Sequence, residues 1–210
     1  MAIQGYQEYK LAFCKIGDTA WTALKGEGKL WDLRNPASPK NTLIISHWPP
    51  LLHPTIRDHH WLRQALHPDR YLVESSGELL MVVRYYNHNV DDDGNYQPKI
   101  ITQDSSRPKK TIIFDVYKLD FVNMDWLLLP SLGPDRALFI GLNDSISVSP
   151  VDFPGLAMNC IYFTCPNAEL LEDTHDLGVF NFEDNNITPI YHYDLDIQLP
   201  SLWIVPAAQQ

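Results

Sequence analysis

Two apolar runs flank a two-residue turn in Tyr71-Leu72-Val73-Glu74-Ser75-Ser76-Gly77-Glu78-Leu79-Leu80-Met81-Val82-Val83-Arg84. Branched and aromatic side chains favour strands on both sides, and Ser76-Gly77 is typical of a tight hairpin turn. The second run is apolar without interruption, which is typical of a strand buried on both faces. The stretch therefore predicts an antiparallel hairpin inside a β-sheet protein.

Short runs of the same kind recur on both sides of this hairpin, separated by turn residues. They lie at 9–13, 111–117, 137–141, 145–148, 160–164, 178–182, 187–191 and 202–205. Alternation predicts that Leu138, Ile140, Ile161 and Phe163 point inward. Such spacing is typical of a sandwich, a barrel or a propeller of antiparallel strands.

Helix-forming and loop-forming segments are few. Residues 54–66 begin with a proline and could form one helix, and residues 168–173 could form a second short one. Five prolines in 34–55 predict a stretch that is not regular throughout. Residues 87–110 are polar, with Asp91-Asp92-Asp93-Gly94-Asn95 at the tip, and predict a long, mobile excursion from a hairpin.

Charge is distributed unevenly along the chain. Residues 1–136 contain all 16 Lys and Arg together with 16 of the 26 acidic residues, so the formal net charge of −10 lies in residues 137–210. Phosphate backbones and anionic membrane surfaces would be repelled there, so we expect neither a nucleic acid nor a membrane as partner. A basic protein partner fits this charge, and so does a solvated acidic face that keeps the chain soluble.

Candidate metal sites are incomplete in the sequence. Asn89, Asp91, Asp93 and Gly94 match the start of a calcium loop, but Ile100 occupies the position that needs a bidentate glutamate. Five histidines fall close together without the short spacings of a zinc site: His47, His53, His59, His60 and His67. We therefore expect no metal and no cofactor.

No catalytic constellation appears in the sequence either. There is no Gly-x-Ser-x-Gly elbow and no phosphate-binding glycine loop, which predicts a protein that is not an enzyme. Three cysteines, Cys14, Cys160 and Cys165, form no disulfide framework, and Cys160 and Cys165 lack a second pair of metal ligands. The first residues contain no apolar run like that of a signal peptide, so we expect an intracellular protein, in the cytoplasm or the nucleus.

A set of linked motifs follows the hairpin in a specific order. It runs through 114–121 with Trp126, Ser131-Leu132-Gly133, 136–141, 145–148, Asp152-Phe153-Pro154-Gly155-Leu156, 159–164, 178–184 and Leu202-Trp203-Ile204-x-Pro206. In this order, residues 71–206 resemble the plant F-box-associated domain of unknown function 295, the KIB-type β-propeller. The resemblance implies an all-β fold, which we expect as a partial or shortened propeller of short antiparallel strands with one or two short helices.

The resemblance also implies a division of the chain. Residues 1–70 would hold the remnant of an earlier blade and a connector rich in proline and histidine. Residues 71–206 would hold the late blades, and residues 207–210 a tail. The strand pair that the family has after Leu11-Ala12-Phe13 is not recognisable, and residues 29–33 are its candidate remnant.

Family members join an F-box, which docks on the adaptor of a ubiquitin ligase, to a propeller that is thought to recruit the substrate. The resemblance therefore implies a non-enzymatic protein-binding module. We recognise no F-box in the sequence and expect no direct docking on the adaptor. The alternatives are a truncated family member without independent activity and, more remotely, a metal-dependent hydrolase that uses the histidine-rich stretch.

Overall fold

The computed structural model describes residues 66–87, 110–123, 125–141, 145–164 and 176–190, together with Pro49, Trp203 and the backbone of four strands between residues 11 and 45. These described parts contain strands, turns and irregular segments, and no helix. The helices predicted at 54–66 and 168–173 and the excursion predicted at 87–110 fall mainly outside them. Phe153-Pro154-Gly155-Leu156, for which a turn or one helical turn was expected, lies in a turn.

The described strands form four sheets. β1 and β2 form a two-stranded sheet, β3 and β4 form another, and β5 to β8 form a four-stranded sheet. The fourth sheet has five strands in the order β10-β9-β11-β12-β13. In chain order the strands are β1 Leu11–Phe13, β2 Thr22–Leu24, β3 Gly28–Asp32, β4 Lys40–Ile45, β5 His67–Ser75, β6 Glu78–Asn87, β7 Lys110–Asp120, β8 Asp125–Leu129, β9 Ala137–Ile140, β10 Ile146–Val148, β11 Cys160–Phe163, β12 Gly178–Asn181 and β13 Asn186–Pro189.

The predicted hairpin forms the first two strands of the four-stranded sheet. β5 pairs antiparallel with β6 from His67↔Tyr86 to Ser75↔Glu78. Ser76 and Gly77 both have positive φ, 52° and 81°, as a tight turn between twisted strands requires. β6 continues into β7 and β7 into β8 as an antiparallel meander, which is the arrangement of a propeller blade.

β6 is buried on both faces, as its uninterrupted apolar sequence predicts. The ring of Phe114 on β7 lies 5.3 Å from that of Phe163 on β11 and 5.2 Å from that of Phe180 on β12. Leu138, Ile140, Ile161 and Phe163 are all buried, which confirms the inward positions expected from alternation. The core therefore lies between the four-stranded and the five-stranded sheets.

One pairing in the five-stranded sheet is parallel. β9 pairs antiparallel with β10 on one side and parallel with β11 on the other, from Cys160↔Ala137 to Phe163↔Ile140. The chain thus leaves β9, forms β10 at the edge of the sheet and returns to the far side of β9. There the Ser147 hydroxyl on β10 lies 2.7 Å from the Ser75 hydroxyl on β5, so β10 joins the two sheets.

Three strands, β2, β4 and β8, lie where the sequence pattern predicted none. β4 falls inside the proline-rich stretch 34–55, where Asn41-Thr42-Leu43-Ile44-Ile45 lies between the prolines and pairs with β3. β3 includes most of the segment identified as the remnant of a family strand pair. β8 was missed because Trp126-Leu127-Leu128-Leu129 shows no alternation of polar and apolar residues.

Candidate functional site

Arg84 occupies the end of the hairpin strand β6 and is fully buried between the two sheets. Its Nη2 lies 2.6 Å from Oδ2 of Asp176, which precedes β12. Its Nη1 donates to the Thr164 carbonyl at 2.7 Å, and its Nε donates to Oγ1 of Thr111 at 2.7 Å. A buried guanidinium is tolerated when its donors are satisfied and its charge is paired, and this arrangement supplies both.

The surroundings of Arg84 keep it charged. Burial opposes the charged form, but the attraction of Asp176, together with the interaction of Tyr71 and the hydrogen bonds with both, outweighs burial and holds the pKa of Arg84 above its ordinary value. The guanidinium carbon also lies 4.9 Å from the centre of the Phe163 ring, which is a favourable cation–π contact. The guanidinium of Arg84 therefore stays charged near neutral pH. It joins β6 to the start of β7, the end of β11 and the segment before β12.

Asp176 receives two further hydrogen bonds from Thr111. The Thr111 amide donates to Asp176 Oδ2 at 2.9 Å, and the Thr111 hydroxyl donates to the same oxygen at 2.6 Å. The Asp176 side chain is 11% exposed. Asp176 is one of the ten acidic residues in 137–210, for which the sequence predicts a solvated or partner-binding face. The structure corrects this for Asp176, because its carboxylate is paired with Arg84 and largely shielded from solvent.

A second buried polar group lies on the opposite face of β6 and β7. Asp115 accepts hydrogen bonds from the hydroxyls of Tyr85 at 3.0 Å and Tyr117 at 3.4 Å. Burial, and then the charge of Asp115, raises the pKa of Tyr85 above its ordinary range. Tyr85 is thus a permanent hydrogen-bond donor and has no means of acting as a base near neutral pH.

A third polar group lies nearer the surface at the hairpin turn. Glu78 accepts from Lys118 Nζ at 2.5 Å and from Arg136 Nη1 at 2.6 Å. The hydrogen bond from Lys118, followed by that from Arg136, lowers the pKa of Glu78. These contacts connect β6, β7 and the segment before β9.

Apolar side chains are exposed on the turn between β7 and β8 and on β8, the outer strand of the four-stranded sheet. We call Phe121 and Val122 of the turn and Leu127 and Leu128 of the strand the β8 edge; they are 48%, 88%, 49% and 43% exposed, respectively. Among the described strands, β8 pairs only with β7 and forms one margin of its sheet. Exposed apolar side chains at a strand that has no second neighbour among the described strands are typical of a protein-contact surface.

Of the five histidines weighed as metal ligands, the described structure includes only His67. His67 lies on β5 and stacks on Tyr86 with ring centres 5.7 Å apart. Among the residues with described positions, no group of three or more His, Cys, Asp and Glu side chains could hold a metal ion. The other four histidines and the calcium-like segment with Asn89, Asp91, Asp93 and Gly94 lie outside the described residues.

Cys160 is a free, buried thiol, and its Sγ donates to the Met158 carbonyl at 3.2 Å. Burial raises its pKa, so it is not an activated nucleophile. Cys14 and Cys165 lie outside the described residues. Within the described part of the chain, no helix is both long and apolar enough to cross a membrane.

Sequence patterns pointed to neither the Arg84 contacts nor the β8 edge. A signal for the first was available, because Arg84 directly follows five apolar residues in a strand expected to be buried on both faces. A buried arginine requires an acidic partner, but its identity as Asp176, 92 residues away, depends on the tertiary fold. For the β8 edge the signal was weaker: four apolar residues without alternation at 126–129, of which Leu127 and Leu128 belong to the edge.

Comparison with known proteins identifies the family. Part of the chain is 38% identical over 98 residues to an F-box protein of Arabidopsis thaliana, and the aligned part covers 47% of this chain and 21% of that protein. The chain thus matches about a fifth of the length of this relative. No solved structure matches the chain.

A family model described as the KIB1-4 beta-propeller matches residues 1–181. The match begins at the first residue, so it includes residues 1–70, where the resemblance had been faintest. It agrees with the blade formed by β5 to β8 and with the all-strand architecture of the described residues. The chain belongs to the KIB1-4 beta-propeller family, a plant F-box-associated group of β-propellers.

Proposed function

We propose that this chain is a non-catalytic protein-binding module of the kind that recruits substrates in plant F-box proteins. The observation that carries the proposal is the β8 edge, where four large apolar side chains on the β7–β8 turn and on β8 are exposed. Burial of such side chains against a partner would be favourable by about 25 cal/mol per Å² of apolar surface. The family and the F-box relative support the same function.

Charge supports a basic partner. Asp152, Glu183 and Asp184 are exposed in the described part of the C-terminal third, and residues 137–210 contain no Lys or Arg. Opposite charge on a partner would speed association and select against acidic proteins. The described polar groups are engaged in structural contacts, and none forms a nucleophile with a base, which supports a non-catalytic role.

The test compares two charge-matched variants of the full chain in a quantitative capture experiment from plant cells. Val122→Asp with Leu127→Asp places charge on the β8 edge. The control, Val151→Asp with Ile190→Asp, changes side chains that are 81% and 46% exposed outside this edge. Each variant is first shown to be folded by a thermal melt and near-UV circular dichroism.

We expect the edge variant to capture at least about tenfold less of a specific partner protein than the unmodified chain does, because the residues that dominate binding energy cluster in well-packed patches. The control variant should capture the same amount as the unmodified chain. Equal capture by both variants would overturn the role of the β8 edge. A binding profile that is independent of salt between low and physiological ionic strength would overturn the basic partner.

A further inference from the structure

The ends of two long connections meet at Arg84. The connection from β6 to β7 leaves at Asn87 and returns at Lys110, and these two residues face each other across the ladder. The connection from β11 to β12 leaves after Thr164 and returns at Asp176. The two connections are distant in sequence, yet one side chain contacts the described ends of both.

Each nitrogen of the guanidinium reaches a different end. Nη1 donates to the carbonyl of Thr164 and Nη2 to the carboxylate of Asp176, so one cation holds both ends of the β11–β12 connection. Nε donates to the hydroxyl of Thr111, which is the second residue of β7 and faces Tyr86. Thr111 then donates to Asp176, so the hydrogen bonds close into a ring of three side chains.

A buried ring of this kind is stable only when it is complete. The loss of one member leaves a buried charge or donor without a partner, and the remaining members then have reason to separate as well. These side chains belong to the last residues of β6, the start of β7 and the segment directly before β12. Partial loosening of one of these segments is therefore costly unless the others loosen with it.

We propose that the Arg84–Asp176–Thr111 ring couples the two connections, so that displacement of one end is transmitted to the other. A protein that pulls Asp176 away from Arg84 would loosen the start of β7 and the end of β6. Conversely, a change at Thr111 would loosen the start of β12. Such coupling is reciprocal, because it is a free energy shared between the two ends.

The first test measures amide hydrogen exchange in the full chain with Asp176→Ala. The control is Asp184→Ala, which removes an exposed carboxylate of the same sheet that accepts from the Asn186 amide and does not contact Arg84. The amides to follow are those of Tyr85 and Ile113, which face each other in the ladder and do not bind Asp176. The Thr111 amide is excluded because it donates to Asp176 directly.

We expect exchange at Tyr85 and Ile113 to rise at least about tenfold in Asp176→Ala and to stay within about twofold in Asp184→Ala. Exchange that is unchanged at these amides would show the two ends to be independent and would overturn the coupling. An equal rise at Leu128 on β8 would indicate general destabilisation and would also overturn it. If Asp176→Ala does not fold, Asp176→Asn, which keeps an acceptor oxygen and removes the charge, takes its place with the same criteria.

The second test runs in the opposite direction. Thr111→Val keeps the amide that donates to Asp176 but removes the hydroxyl that bridges Arg84 and Asp176. We expect faster exchange at Val179 and Phe180 of β12, with Val151→Thr, an exposed β-branched position outside β12 and β13, as the matched control. Faster exchange near residue 111 alone, with β12 unaffected, would contradict the reciprocity.

Discussion

The side-chain carbonyl of Asn159 accepts a hydrogen bond from the backbone amide of Leu132, 2.8 Å away, and so ties the segment before β9 to the start of β11. Asn159 has a φ of 58°, in the left-handed region that asparagine tolerates better than most residues. The backbone amide of Asn159 donates to the backbone carbonyl of Arg136 at 2.8 Å, and the backbone carbonyl of Asn159 accepts from the backbone amide of Phe182 at 3.1 Å. One residue thus joins three segments.

We predict that Asn159→Ala lowers the free energy of unfolding by about 2 kcal/mol, because it loses the side-chain acceptor and strains the backbone. Asn159→Gly should cost less, since glycine adopts positive φ without strain and loses only the side-chain hydrogen bonds. Urea denaturation of both variants measures the difference. An equal loss in the two would contradict the contribution of the backbone.

Gly141 is predicted to tolerate no side chain while Thr164 is present. A Cβ at Gly141 would lie 2.1 Å from Oγ1 of Thr164, far inside contact distance. Gly141→Ala should therefore lower the free energy of unfolding by roughly 1–3 kcal/mol, the range of overpacked sites. Gly141→Ala combined with Thr164→Ala should recover part of that loss, and a double-mutant cycle by chemical denaturation measures the recovery. Additive losses in the cycle would rule out this steric explanation.

Tyr85 is predicted to stabilise the fold only while it is protonated. Its pKa is raised in the folded chain, so its contribution is complete below its ordinary pKa of about 10 and is lost as the pH rises beyond that value. Tyr85→Phe should cost about 1–2 kcal/mol at neutral pH, because Asp115 loses a buried donor. Thermal melts at pH 7 to 11 should show a smaller alkaline loss for Tyr85→Phe than for the unmodified chain. Parallel curves would contradict the prediction, and Tyr117→Phe, whose hydroxyl lies farther from Asp115, serves as the weaker comparison.

Glu78 is predicted to make a small contribution that is lost in acid. Its pKa is lowered from 4.5, so the stabilisation is present above that value and disappears as the pH falls below it. The contacts are partly exposed, and solvent screening limits the effect of Glu78→Gln to about 1 kcal/mol or less at pH 7. Denaturation midpoints from pH 7 to 3 should converge for the two proteins at the acid end. A constant difference across this range would contradict the prediction.

Local sequence signals predicted the parts of the fold that depend on neighbours in the chain. The hairpin around Ser76-Gly77 and the inward positions on β9 and β11 follow from turn chemistry and alternation, which act over a few residues. The parallel contact between β9 and β11 could not be predicted in this way, because another strand lies between them in the sequence. The same reason hid Asp176 as the partner of Arg84, since a pairing over 92 residues leaves no periodic trace.

The path of the chain through β10 has a consequence for how the blades could be separated. β10 is hydrogen-bonded to β9, but its Ser147 hydroxyl meets Ser75 on the first strand of the preceding blade. A protease cut in the segment around Pro130 would divide the sequence between two sheets, but it would not free two autonomous units. The halves would remain associated after cleavage, and either half made alone would lack a surface that its neighbour normally covers. The two sheets are thus in contact through β5 and β10, and either one exchanged alone would lose that contact.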